Sequence, residues 1–235
     1  MIKKLIKRGL GAFNIEVRRR VLAGSAAPQE INPIQPWRDD PAFRTLVAPL
    51  QGRTLVDDGR LFVLYNAARH VRLLAGNIAE VGVYKGGTAK MFSQIFADTS
   101  KQLHLFDTFQ GMPETDPIRD WHQKGDFSDT SLESVRSFIG KMRNVQFHPG
   151  FFPASANGLL DEPIALVHID VDIYRSVLDC CEYFYSRMVR GGIMIFDDYG
   201  FTTCPGAKSA VDEFFNEKVE VPIYLPTGQA IVFKQ

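Results

Sequence analysis

Four aspartates occupy the ends of two short apolar runs. Asp170 and Asp172 close His168-Ile169-Asp170-Val171-Asp172, and Asp197 and Asp198 close Ile195-Phe196-Asp197-Asp198. If the two runs are neighbouring strands, four carboxylates meet at one edge and repel one another strongly unless something compensates them. A hard divalent cation does so. Magnesium and manganese take oxygen ligands and keep positions open for water or a substrate, whereas no Cys/His spacing suggests zinc. Single acids at such positions commonly cap helices or face water. A set of four is better explained by a functional site.

A second constellation precedes it. Ala79-Glu80-Val81-Gly82-Val83-Tyr84-Lys85-Gly86-Gly87 ends another apolar run with three glycines, which let a backbone turn sharply and approach a ligand with no Cβ between them. The spacing is not the G-x-G-x-x-G that serves a pyrophosphate at a helix N-terminus. It suits a ligand without phosphate that needs backbone contact and hydrogen-bond acceptors, such as S-adenosylmethionine with its ammonium and ribose hydroxyls. Glu80 offers one acceptor, and Asp107, at the tip of Leu105-Phe106-Asp107, offers another. A plain strand-to-helix turn would use the same glycines.

These residues need a scaffold that delivers them to one edge. Residues 61–74 read as helix, 78–83 as a strand ended by Gly86-Gly87, 88–97 as helix and 103–106 as strand. After a polar loop with Pro113 and Pro117, a helix over 131–139 starts from Thr130 as N-cap, with Glu133 three residues on. Strands follow at 145–148 and 164–169. A helix over 176–188 stops at Gly191-Gly192, a strand spans 193–196, a helix 207–215, and strands at 223–225 and 230–233 close the chain. Continuous apolar strands alternating with helices predict an α/β fold, a mostly parallel seven-stranded sheet with helices on both faces. Such sheets bind ligands beyond the strands' carboxyl ends, at the switch point in strand order, which is where both constellations fall. Residues 60–235 are expected to form this domain. Residues 1–59, proline-rich over 24–53, are expected to form an N-terminal basic arm and irregular cover.

Composition narrows the function classes. The 235 residues, 45% of them hydrophobic, are enough for one sizeable core. Lysines and arginines number 27 against 27 acids, so no global cationic field favours nucleic acid. Cys180, Cys181 and Cys204 make no disulfide framework, and a reduced, cytoplasmic protein without a signal peptide is expected. No apolar run approaches the roughly 18 residues of a spanning helix. The first twenty residues nevertheless carry Lys3, Lys4, Lys7, Arg8, Arg18, Arg19 and Arg20, with Ile2, Leu5, Ile6, Leu10, Phe13 and Val17 near a helical period. A basic amphipathic segment of this kind either lies peripherally on the anionic inner face of a membrane or packs as an arm on its own subunit or on a partner in a homodimer.

Taken in order, these segments resemble the macrocin O-methyltransferase family, the metal-dependent methyltransferases of macrolide and aminocoumarin sugars. The resemblance runs from about residue 77 to 215. It rests on Glu80 to Gly87, on Phe106-Asp107-Thr108-Phe109-Gln110-Gly111-Met112-Pro113, on Gly125-Asp126-Phe127-Ser128, on Asp170 to Tyr174 with Ser176, on Gly191-Gly192 and on Asp197-Asp198-Tyr199. It implies a Rossmann-like class I methyltransferase fold with a reversed last hairpin strand, and S-adenosylmethionine with magnesium (or manganese) as cofactors. By motif position it implies Asp170, Asp197 and Asp198 as metal ligands and Asp172 as general base. Glu80, Gly82, Gly86, Gly87, Thr88, Asp107, Thr108, Gly125, Phe127, Ser128 and Asp170 are the implied cofactor contacts. The sequence departs from the family before residue 60, and at His168, where the family often has arginine.

The chemistry expected of such a site is in-line transfer of an activated methyl to a hydroxyl, chiefly a task of positioning. A cation on the acceptor oxygen lowers its pKa, Asp172 within reach takes the proton, and a second hydroxyl beside the first would give the cation another oxygen. The acceptor is therefore expected to be a small molecule or glycan bearing a vicinal diol. Asp172 could instead only orient a neighbour, and His148 or His168 could be the base. Two other classes share some of these residues. A haloacid dehalogenase-like phosphohydrolase uses a D-x-D pair like Asp170 and Asp172, although usually at the first core strand. A non-catalytic binding protein can stand on the same fold.

Overall fold

The computed structural model describes residues 35–156 and 162–235. The basic segment 1–20, and with it the membrane and arm readings, lies outside the described residues. One compact unit runs from Trp37 to Gln235.

Its chain enters through α1 (Pro41–Val47), capped by the Asp40 carboxylate accepting from Phe43 N, and α2 (Asp58–Val71), capped by Asp57 accepting from Gly59 N and Arg60 N. Then β1 (Asn77–Val81), α3 (Gly87–Ile95), β2 (Leu103–Asp107), α4 (Leu132–Ile139), β3 (Val145–Pro149) and β4 (Ile164–Ile169) follow. The chain ends with α5 (Tyr174–Phe184), β5 (Met188–Phe196), α6 (Pro205–Phe215), β6 (Ile223–Tyr224) and β7 (Ala230–Phe233). The strands form one seven-stranded sheet in the order β3-β2-β1-β4-β5-β7-β6. β1 to β5 pair in parallel, and β7 runs antiparallel to both its neighbours. The order reverses between β1 and β4, which is the switch point where such sheets bind ligands.

The strands alternate between two apolar layers, as the period of two requires. Ile78, Leu105, Leu166 and Ile195 face a layer with Leu64 of α2 and Phe92 of α3, joined by Phe43 and Leu50. Ala79, Phe106, Val167 and Phe196 face the other, with Val177 and Phe184 of α5 and Val211 and Phe215 of α6. Burying each large side chain stabilises the fold by about 1.5–3 kcal/mol. Because Phe43, Val47, Leu50 and Val56 are core residues, the domain boundary expected at residue 60 falls inside this unit. Among the described residues no helix is long and apolar enough to cross a membrane.

Two local expectations are corrected. The N-cap of α4 is Ser131, whose hydroxyl accepts from Ser134 N at 3.2 Å, not Thr130, which instead donates to the Tyr84 carbonyl. The helix expected over 176–188 ends at Phe184, and β5 already begins at Met188. Gly191 and Gly192 do not stop a helix. They form a bulge in β5, where Ile164 pairs Met188 and Leu166 pairs Ile193. A Cβ on Gly192 would come within 2.9 Å of Val189 O and 3.0 Å of Ala165 O, so a glycine is needed where the bulge presses on β4.

Candidate active site

At the carboxyl ends of β1 and β4 lies a cavity of about 300 Å³. One wall is the turn after β1, with Gly82, Tyr84 and Thr88. Asp107 and Thr108 after β2, Phe127 from the long loop, and Phe151 and Phe152 after β3 extend it. Asp170, Asp172 and Asp198 after β4 and β5 also line the cavity, with Thr203 and Cys204 before α6.

The turn after β1 is shaped by its glycines for different neighbours. Gly82 has φ +88°, and a Cβ there would fall 1.7 Å from Asp170 O, so the loops after β1 and β4 touch only because this residue has no side chain. A Cβ on Gly86 would meet Val135 at 2.8 Å, and one on Gly87 would meet Thr54 and Arg53 O at 2.7 and 2.8 Å. Those two glycines admit packing partners, and neither lines the cavity. Asp107 does line it, but its carboxylate is engaged with backbone. Oδ2 accepts from Val83 N (2.7 Å) and Tyr84 N (2.9 Å), and Oδ1 from Phe109 N (2.6 Å). It ties the turns after β1 and β2 together. Thr108 donates to Gly111 O at 2.8 Å, and Phe127, with φ +59°, stands edge-on to Tyr84. Gly125 and Ser128 lie on the same long loop, outside the lining.

Glu80 does not line the cavity. It pairs in register with His168 across β1 and β4, is fully buried, and its Oε1 lies 2.9 Å from His168 Nδ1. His168 reaches on to Asp197 Oδ1 at 3.5 Å. Burial works against a charge on this imidazole, but the hydrogen bonds to Asp197 and Glu80 outweigh it and raise its pKa to about 10. His148 also lies off the cavity. It stacks on Phe106 with Nε2 3.0 Å from His104 Nδ1, and burial followed by His104 lowers it to about 4.

The carboxylates differ by environment. Asp197 is fully buried, accepting from Arg60 Nη1 and from Gln229 Nε2 at 2.8 Å. Burial opposes its charge, yet His168 and Arg60 hold it below the usual carboxylate range. Asp170 and Asp198 face the opposite balance. Burial raises both, reinforced by Asp197 at Asp170 and by Asp172 at Asp198, and Asp198 has the Asp172 N–H at 2.9 Å on its Oδ2. Asp172 itself has φ +59°, a left-handed conformation that Asp tolerates better than most side chains. Burial raises its pKa against the pull of His122.

This donor set fits a hard divalent cation. Asp170 and Asp198 face the cavity as two mutually repelling carboxylates, and oxygens of Asp170 and Asp197 lie with a His168 nitrogen inside 4.8 Å of one another. Asp170 and Asp198 could hold magnesium directly, and Asp197 could join them through Oδ1 while Oδ2 keeps Arg60.

The sequence profile of the macrocin-O-methyltransferase (TylF) family matches residues 15–234. The chain belongs to this family. A tetracenomycin-C rhamnosyl 4'-O-methyltransferase of Streptomyces olivaceus is 29% identical over 146 residues, 56% of each chain. The demethyldecarbamoylnovobiocin O-methyltransferase of Streptomyces niveus is 29% identical over 153 residues, 59% of this chain and 58% of that one. The chain thus spans well under two thirds of the length of these relatives. In structure it is similar to the O-methyltransferase NovP, with TM-score 0.69 and 23% identity over 78% of this chain and 82% of that one. It is also similar to CalS11, a calicheamicin methyltransferase, with TM-score 0.64 and 16% identity over 87% and 99%. These likenesses establish the class I O-methyltransferase fold.

Within this macrocin-O-methyltransferase member, several cavity residues carry no sequence signal of their own. Arg60 comes from α2, bonded to Asp57, to Leu55 O at 2.7 Å and to Asp197. His122 stands on the long loop, and Cys204, 3% exposed, immediately precedes α6. Only folding brings residues so far apart in sequence to one cavity.

Proposed function

We propose that the chain is a magnesium-dependent O-methyltransferase that moves the methyl of S-adenosylmethionine to a sugar hydroxyl, one of a vicinal pair. The observation that carries this reading is the cavity itself, lined together by the Gly82 turn, Asp107, Asp170, Asp172 and Asp198. Relatives named for the methylation of a rhamnosyl 4' oxygen and of mycinamicin III at 3'' support a sugar as acceptor.

S-adenosylmethionine, when bound, supplies a methyl already activated for displacement, and magnesium, when bound, supplies a Lewis acid for the acceptor hydroxyl. The chain's own residues do the rest. Gly82 lets the turns after β1 and β4 close together where the donor would sit, and Asp107 holds the turns that would receive it. Asp170 and Asp198, with Asp197 beside them, would hold the cation. Asp172, two residues beyond Asp170 and open to the cavity, accepts the acceptor's proton at Oδ1. Phe127 and Phe151 add apolar surface to the same cavity. The D-x-D of a phosphohydrolase would close the first core strand, whereas Asp170 and Asp172 follow β4.

Calorimetric titration of metal-stripped protein tests the reading. Wild type should bind both S-adenosylmethionine and magnesium, and an Asp170→Asn/Asp198→Asn variant should keep the first and lose the second. Magnesium binding without any S-adenosylmethionine binding would sink the methyltransferase assignment.

A further inference from the structure

We infer that His122, Asp172 and Cys204 form a second cation site, suited by its nitrogen, oxygen and sulfur donors to a soft divalent ion such as zinc. An imidazole nitrogen, a carboxylate oxygen and the thiol lie within 4.8 Å of one another. They converge on one atom. His122 Nε2 is 3.6 Å and Cys204 Sγ 3.5 Å from Asp172 Oδ1. Ligands around a tetrahedral zinc at about 2.0–2.3 Å stand at similar separations.

A second observation points the same way. His122 Nδ1 lies 3.0 Å from Asp126 Oδ2, which also accepts from Gln123 N at 3.0 Å. A carboxylate on the far nitrogen fixes the tautomer and leaves the Nε2 lone pair facing the other two donors, the arrangement that orients zinc-binding imidazoles. The cavity leaves a fourth position for water or ligand. A hard ion finds only one carboxylate here, whereas beyond Asp172 it finds Asp170 and Asp198, so the two sites sort ions by softness. Burial disfavours the free thiolate of Cys204, and binding would release its proton to solvent as the sulfur bonds the metal. The ion would occupy the Asp172 oxygen that serves as proton acceptor in the proposed reaction. On that reading, and only on it, zinc inhibits methyl transfer.

Cobalt(II) reports the site directly. Metal-stripped full-length protein titrated with cobalt should develop a thiolate-to-cobalt charge-transfer band at one equivalent, bleached by zinc but not by excess magnesium. Cys204→Ser should abolish the band. His122→Gln should weaken cobalt affinity at least tenfold and Asp126→Asn about tenfold. No band in wild type, or a band that survives in Cys204→Ser, overturns the site. Should Cys204→Ser fail to fold, His122→Gln decides, since its loop position leaves the core untouched, and unchanged affinity there is equally fatal. If the spectra succeed while no methyl transfer is found, the proposed function fails and the zinc site stands.

Discussion

The guanidinium of Arg60 closes on the carboxylate of Asp197 across 137 positions of sequence, joining the start of α2 to the end of β5. Asp197 has no exposed side-chain surface and Arg60 only 12%. Removing one partner of a buried pair strands the other charge. Arg60→Gln should therefore cost about 3 kcal/mol in urea unfolding, the low end of the range for such pairs because Gln229 and His168 still hold Asp197. A loss below about 1 kcal/mol would show that the pair is not what secures the rim.

Gly82→Ala and Gly125→Ala separate close approach from backbone preference. Both glycines have positive φ, but a Cβ on Gly125 meets nothing within 4 Å while one on Gly82 collides with Asp170 O. The Gly125 variant should lose about 1 kcal/mol, the ordinary cost of a left-handed alanine. The Gly82 variant should lose more, and S-adenosylmethionine affinity should drop at least tenfold in calorimetry. Equal behaviour of the two would refute the contact as the reason for Gly82.

His168 makes stability depend on pH in a predictable sense. Its folded pKa, about 10, lies above its ordinary value of 6.5. Its contribution is complete below pH 6.5 and is lost as pH rises through 10. Between pH 7 and 10 the wild type should lose stability relative to His168→Gln, by up to about 1.4 kcal/mol per pH unit for one proton. Parallel curves for the two proteins in urea unfolding would mean the imidazole is neutral between Glu80 and Asp197.

Asp172→Asn should lower kcat by about 10²–10⁴-fold, the usual worth of a positioned base. The affinities for S-adenosylmethionine and magnesium should stay close to wild type. A matching fall in magnesium affinity would place Asp172 among the metal's ligands instead.

Much of the architecture was legible because strand and helix periods are local properties of the chain. The four aspartates closing 164–169 and 193–196 were readable as one cluster, and the parallel pairing of Ile169 with Phe196 sets those two ends side by side. The bulge at Gly191-Gly192 was not legible. A glycine pair reads alike whether it ends a helix or admits a neighbouring strand, and only the pressure of β4 on β5 distinguishes the two.

The sequence by itself determined an α/β chain with glycines after its first strand and acids after its fourth and fifth, since hydrophobic period and turn chemistry are written in neighbouring residues. Tertiary structure decided which of those residues look into the cavity. Glu80 Oε1 and Asp197 pair with His168 and Arg60 inside the protein, while Asp170 and Asp198 line the cavity. His122 and Cys204 join Asp172 from 50 and 32 positions away, a convergence no local spacing encodes. The physical reason is that a carboxylate's role is set by the charge and burial around it, and those depend on distant chain brought near by the sheet.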